Sequence, residues 1–320
     1  MPYRRGSEGP GGAVIVVGSL NYDHVVTVDR LPERGQTVSG RGYISVPGGK
    51  GLNQAVTASR LGAQVSMIGC LGDDPAGALL REVLTREGVQ AATVRTVAGR
   101  PSGTALITVE RGGANTIVVA AGANGELGGQ DVGAARPLFG PASVVLAQME
   151  VPWPAVEAAL RLARTVGART VLNPSPAPGP LPGPLLALVD VLVPNETEAL
   201  AMTGCSAPGE AARRLLTEGC GAAVVTLGER GALLAEPGRS PLSVPAYPVP
   251  ALDTTAAGDA FCGTLAASLA AGGSLLEAVR RGCAAGAVAT TVMGALPSLP
   301  TAAQVDRLQL LGSRHPRVEE

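Results

Sequence analysis

The sequence carries almost no net charge: 25 basic residues face 26 acidic ones, a formal balance of -1 at pH 7. That excludes long-range attraction for nucleic acid or an anionic membrane as the basis of function, so binding must be local. Cysteine is sparse as well. Cys70, Cys205, Cys220, Cys262 and Cys283 are odd in number, far apart and without a C-x-x-C pair, which argues against a disulfide framework or a zinc site and favours a reducing cytoplasm. Residues 1–12 hold a basic pair but no apolar segment ahead of a cleavage site, so they read as a loose terminus and not as a secretory signal. A long uncharged stretch, residues 282–304, is interrupted by Pro297 and Pro300 and makes a poor membrane span. A soluble protein without fixed-period repeats is expected.

What is present points to a large α/β unit. A chain of 320 residues buries enough apolar surface to need no staples, and its 44 Gly and 26 Pro fall mostly between apolar runs, as turn residues do. The run Ala13-Val-Ile-Val-Val17 is continuously apolar and β-branched, the pattern of a strand buried on both faces. Similar runs at 65–68, 143–147, 170–172, 189–193 and 223–227 alternate with helical stretches such as 54–61, 153–166 and 210–218. Alternation of this kind predicts a mostly parallel central sheet with helices on both faces. Residues 23–44 and 102–120 break the rhythm with alternating β-rich segments, which suit a small separate sheet at the edge of the main one. Beyond Ala256 an Ala-rich helical pair is expected at 258–271 and 275–290. The organisation expected is one domain over 13–312, the small sheet discontinuous within it, and a tail at 313–320.

The richest segment chemically is Asp253-Thr-Thr-Ala-Ala-Gly258-Asp259. A small-residue turn of Ala256, Ala257 and Gly258 at a helix start leaves backbone N–H groups free to hold a phosphate. Asp259 just inside it could take the proton of an attacking hydroxyl. Taken alone, the same residues equally describe an ordinary first-turn acid. A second segment, Pro47-Gly-Gly-Lys-Gly-Leu-Asn53, combines backbone freedom at Gly49 and Gly51 with Lys50 and Asn53, and Asn53 offers a donor and an acceptor to a sugar hydroxyl. It is not a Walker A loop, since Ile44 and Gly51 stand where that pattern needs Gly and Ser or Thr, and no G-x-G-x-x-G follows a strand.

Pro194-Asn195-Glu-Thr-Glu198 closes an apolar strand at the end where open α/β sheets bind ligands, and could organise Mg²⁺-bound water. An Asn cap followed by first-turn acids is the simpler reading of it. Thr226-Leu227-Gly228-Glu-Arg-Gly231 follows another strand and could pass beneath a nucleotide, or be a plain hairpin turn. Asn21 and Asp23, two apart after the first strand, share a face if extended, and Glu150 ends a further strand. Trp153 and Tyr247 read as packing residues, and His24 as structural.

Taken in this order, the segments resemble the ribokinase-like, or PfkB, carbohydrate kinases over residues 14–308. The match rests on Asn21-Tyr-Asp23-His24, Gly48-Gly-Lys-Gly-Leu-Asn-Gln54, Leu172-Asn-Pro-Ser-Pro176, Pro194 to Glu198 and Asp253 to Asp259. The resemblance implies a three-layer fold with a β lid, a homodimer formed through that lid, and phosphoryl transfer from ATP to a small sugar. Ribose is the leading acceptor; 2-deoxyribose, another sugar or a nucleoside are the alternatives. A non-catalytic sugar-binding protein is disfavoured by the intact Ala-Ala-Gly-Asp turn. The resemblance implies that Asn21, Asp23, Gly49, Lys50, Gly51, Asn53 and Glu150 hold the sugar, with Asp259 as base beside an anion hole of Ala256, Ala257 and Gly258. It assigns ATP to Asn195, Thr226, Leu227, Gly228, Gly231, Gly258 and Cys283, and Mg²⁺ water to Glu198. A K⁺ site would comprise Asp253, Ser298 and positions Thr255, Ala289, Val292 and Gly294. Two residues depart from the family pattern: Cys283, where His often lies near adenine, and the bulky Tyr22 between Asn21 and Asp23.

Overall fold

The computed structural model describes residues 12–313 apart from 113, 142 and 178. The readings for 1–12 and 313–320 lie outside the described residues, Gly12 and Ser313 excepted. The strands are β1 Ala13–Val17, β2 Asn21–Val28, β3 Gly42–Gly48, β4 Gln64–Gly72, β5 Val94–Val97, β6 Thr104–Glu110, β7 Asn115–Ala120, β8 Val144–Gln148, β9 Arg169–Asn173, β10 Val191–Leu192, β11 Ala223–Thr226, β12 Ala232–Ala235 and β13 Leu242–Val244. The large sheet has the order β13-β12-β11-β10-β9-β8-β1-β4-β5. It is parallel except for β12, which runs antiparallel to both its neighbours.

The apolar run of β1 explains why both faces are covered. Successive side chains of a strand point to opposite sides: Val14 and Val16 pack with Leu52, Val56, Phe261 and Val279, whereas Ile15 and Val17 pack with Val156 and Leu160. Helices Lys50–Arg60, Ala257–Ala270 and Leu275–Thr290 cover the first side, and Trp153–Val166 and Pro208–Thr217 cover the second. Burying a side chain such as Leu160 contributes about 1.5–3 kcal/mol. Gly263 sets one close approach that matters later. A Cβ there would lie 2.6 Å from the Gln54 carbonyl oxygen, so the Ala257–Ala270 helix presses directly on Lys50–Arg60.

A second sheet, ordered β3-β2-β6-β7, stands apart from the first. β2 pairs antiparallel with β3 and parallel with β6, and β6 pairs antiparallel with β7. It is the small sheet expected from 23–44 and 102–120, but β2 starts at Asn21 and β3 runs to Gly48. Asn21 and Asp23 therefore stand on the sheet itself. Tyr43, Ile44, Leu106, Ile117, Val118 and Val119 are each more than half exposed on it.

Some expected boundaries shift. The helix expected at 54–61 begins at Lys50, so Lys50, Gly51 and Asn53 belong to its first turn and only Gly49 remains outside as the cap. β5, β12 and β13 escape the search for apolar runs because β5 (Val-Arg-Thr-Val) and β13 (Leu-Ser-Val) carry polar residues and β12 (Ala-Leu-Leu-Ala) has no β-branched one.

Candidate active site

The carboxyl ends of β8 and β9 meet the amino ends of two helices, and Asp259 lies at that meeting. It occupies the first turn of Ala257–Ala270, behind an N-cap at Ala256 with φ 59. Ala256 is the one non-glycine residue with positive φ among the described residues; left-handed backbone costs an L-residue roughly 1–2 kcal/mol. Among the described residues no side chain caps this end; the Ala257 N–H bonds to the Thr254 carbonyl at 3.3 Å, and the later first-turn N–H groups are the ones open to an anion. Open space lies where a Cβ on Gly258 would be. Ala256, Ala257, Gly258 and Asp259 thus come together around an unblocked helix terminus.

The Asp259 carboxylate is buried. Asn53 Nδ2 donates to its Oδ2 at 2.9 Å and Gln54 Nε2 to its Oδ1 at 2.9 Å. Burial pushes this carboxyl above the ordinary range, against the Lys50 charge and the two amide donors, while Glu150 adds to the rise. Lys50 is the only lysine in the chain. Burial disfavours its charge, but Asp259, Glu150 and Glu198 outweigh that and hold the ammonium above the usual lysine value. Asn53 keeps one polar atom in reserve: its Oδ1 is buried and has no hydrogen-bond partner among the described residues.

The opposite wall comes from the loop after β1 and from β2. Glu150 Oε2 accepts from Ser19 Oγ at 2.6 Å and from the Lys50 N–H at 3.0 Å. Gly49, with φ 93, and Gly51 let the helix start press on this loop; a Cβ on Gly51 would lie 2.5 Å from the Ser19 nitrogen. Asn124 binds Leu20 through both main-chain groups and donates to Asn21 Oδ1 at 2.7 Å. Asn21 is left with its NH₂ group as donor. Asp23 accepts from the Ala105 N–H at 3.2 Å, and its carboxyl is pushed up to about 7, chiefly by burial, against the Ala105 bond and with help from Glu150.

Of the residues assigned to nucleotide and metal, Asn195, Gly228 and Thr255 are exposed, whereas Glu198, Gly231, Cys283 and Ser298 are buried. Asn195 and Glu198 form a reciprocal capping box, with bonds of 2.9 and 2.8 Å, so the helix-cap reading of this tetrad holds locally. Asn195 also bridges to Thr226. Leu227, Gly228 and Gly231 form the tight turn joining β11 to β12, closed by a 2.7 Å bond from the Leu227 N–H to the Gly231 carbonyl. Cys283 is buried in the Leu275–Thr290 helix, its Sγ 3.9 Å from the Val244 carbonyl, and burial pushes its thiol up to about 12. Asp253 accepts from Thr255 and from the Gly294 N–H, at 2.6 and 2.7 Å. Burial would raise its carboxyl, but those bonds prevail and lower it. Ala289 is buried, Val292 is partly exposed, and Ser298 donates to the Ala295 carbonyl at 2.8 Å. Among the described residues no His, Cys, Asp and Glu side chains gather in threes to hold a metal ion.

Comparison with known proteins decides the family. The model of the pfkB family carbohydrate kinases matches residues 12–302. The chain belongs to that family. This kinase is 38% identical to the ribokinase of Haemophilus influenzae over 291 residues, 89% of this chain and 94% of that protein. It is also 32% identical to the deoxyribokinase of Salmonella typhi, covering 91% of this chain and 96% of that one. A solved structure of Arabidopsis thaliana ribokinase complexed with ribose and ATP superposes with a TM-score of 0.85 at 32% identity, covering 93% of this kinase and 98% of the other chain. It is therefore a phosphotransferase with an alcohol group as acceptor.

Sequence reasoning gave no role in this kinase to Ser19, Gln54, Asn124, Gln148 or Asn173, all of which bond to residues it did select or to one another. A signal was present: fully buried Gln54 interrupts the apolar face of a helix, and Gln148 and Asn173 both end apolar strands.

Proposed function

We propose that this kinase transfers the γ-phosphoryl group of ATP to the 5-hydroxyl of D-ribose, giving ribose 5-phosphate and ADP. The observation that carries the reading is Asn53. Its NH₂ is committed to Asp259, while its Oδ1 lies buried and, among the described residues, unpartnered. An unsatisfied buried acceptor is costly, and a substrate hydroxyl would supply the missing donor next to the base. The ribokinase relatives support ribose as that substrate.

In the reaction the sugar oxygen forms its bond to the γ-phosphorus as the bond to the β-bridging oxygen breaks with its electron pair, leaving ADP. The proton of the hydroxyl passes to Asp259. Asn21, Asp23, Gly49, Lys50, Gly51, Asn53 and Glu150 hold the sugar. The turn of Ala256, Ala257 and Gly258 receives the transferred charge. Asn195, Thr226, Leu227, Gly228, Gly231 and Cys283 hold the nucleotide.

Glu198 commits Oε2 to the cap, and its other carboxylate oxygen suits a water of hydrated Mg²⁺. The ionised carboxylate of Asp253 suits K⁺, with Thr255, Ala289, Val292, Gly294 and Ser298 completing the proposed site. Bound, the two cations would neutralise phosphate charge and steady the anion hole. The exposed apolar side chains of the small sheet favour a lid that pairs with a second copy, closing over the sugar to keep water from ATP. A reducing cytoplasm suits the five free thiols.

The deoxyribokinase relative motivates the competing acceptor, 2-deoxyribose. Phosphorylation measured over ribose, 2-deoxyribose, hexoses and nucleosides with Mg²⁺ and ATP separates them. Ribose should exceed 2-deoxyribose by roughly ten- to hundredfold in kcat/KM, the cost of leaving buried polar groups unpaired. Better use of 2-deoxyribose or of a hexose would overturn the assignment of ribose.

A further inference from the structure

A buried string of side-chain amides runs up to Asp259, and its chemistry fixes the direction of every link. The Val193 carbonyl can only accept, so Asn173 presents Nδ2 to it at 2.8 Å and turns Oδ1 towards Gln54. Gln54 must then offer Nε2 to Asn173, at 3.1 Å, and its second N–H reaches Asp259 Oδ1 at 2.9 Å. Gln54 Oε1 remains as the acceptor for Gln148 Nε2 at 2.7 Å. Gln54 and Gln148 are wholly buried.

We propose that Gln54 is a positioning residue for phosphoryl transfer, held by Asn173 and Gln148 so that its single N–H to Asp259 sets the plane of the carboxylate before sugar binds. The inference rests on Asp259 being the base. With Asn53 on Oδ2 and Gln54 on Oδ1, rotation of the carboxylate is blocked from both sides, and its remaining lone pairs keep one direction. The string is not what packing alone would select. Gln148 leaves its Oε1 buried without a partner among the described residues, and a Cβ on Gly18 would lie 1.9 Å from that oxygen. Apolar side chains would fill the space without that penalty.

Gln54 also opposes the rise that burial imposes on the Asp259 carboxyl. The other charged or titratable groups acting on this cluster are Lys50 from the same helix as Gln54, Glu150 after β8, Cys262 one turn beyond Asp259, and Glu198, which acts on Lys50. Losing the Gln54 donor removes a stabiliser of the ionised acid, so more alkaline solution is needed to form the base.

The test compares wild type with Gln54→Leu, Gln148→Met and Asp259→Asn, using D-ribose and Mg²⁺-ATP. The readout is kcat at saturating ribose as a function of pH, which reports the sugar-bound enzyme. Gln54→Leu should lower kcat by roughly ten- to hundredfold, change the KM for ribose by less than about threefold, and move the acid limb of kcat up by about one pH unit. Gln148→Met, which frees the Gln54 amide to turn, should move the same limb in the same direction by less; it carries the test if Gln54→Leu does not fold. An unmoved acid limb in folded variants, or a raised KM with normal kcat, would overturn the inference. An active Asp259→Asn would instead bring down the base itself, so the two failures are distinguishable.

Discussion

The two ends of the proposed site, one assigned to the sugar and the other to nucleotide and cations, are built differently. At the sugar end, polar groups are buried and committed to one another across long chain separations: Asp259 to Asn53 and Gln54, Asn21 to Asn124, Glu150 to Ser19. At the nucleotide and cation end the bonds are mostly local, as in the Asn195–Glu198 box, the Gly228–Gly231 turn and the Asp253–Thr255 pair. A pocket that must align a hydroxyl with a base gains from rigidity before substrate arrives. A surface that grips phosphates through backbone N–H groups and ions can remain shallow, because the charge of the ligand supplies much of the binding.

Removing the base should break the sugar end most severely. Asp259→Asn keeps nearly the same volume and should leave the fold and ATP binding intact, yet lower kcat by about 10² to 10⁴. Near-normal turnover in a folded variant would exclude Asp259 as base.

Asp23 sharpens the contrast, because here function and stability should move in opposite directions. Its folded carboxyl is raised from 3.8 to about 7, so between these values the folded state binds more protons than the unfolded one. Stability contributed by the protonated form is fully present below the unfolded value and is lost as pH climbs to about 7. At pH 8, Asp23→Asn should therefore raise the melting temperature, by the equivalent of about 2–4 kcal/mol, while lowering kcat/KM for ribose roughly ten- to hundredfold. A melting temperature unchanged at pH 8 would refute the account of burial at Asp23.

The smallest effect is expected at the cation end. Potassium should raise turnover above that in sodium or lithium by steadying the loop that Asp253 ties to Gly294. Equal rates in the three salts would remove the cation from the mechanism and leave this end purely structural.

The outline of this kinase was legible in its sequence because the signals are local. Continuous β-branched runs announce strands buried on both faces, and small residues before Asp259 announce an open helix start. The departures have equally local causes: the short strands β5, β12 and β13 lack a strong apolar pattern, and Lys50 and Asn53 looked like loop because glycines surround them, although they begin a helix. Asn195 and Glu198 were readable as a cap from their spacing alone. What only the tertiary structure decided is which buried amide faces which partner. Gln54 meets Asn173 across 119 residues and Asp259 across 205, a closeness made by Gly263 pressing one helix on another and by adjacent strands ending at the same edge. Hydrogen bonds between side chains so far apart leave no period or spacing in the chain, since their geometry exists only once the sheet and its helices have packed.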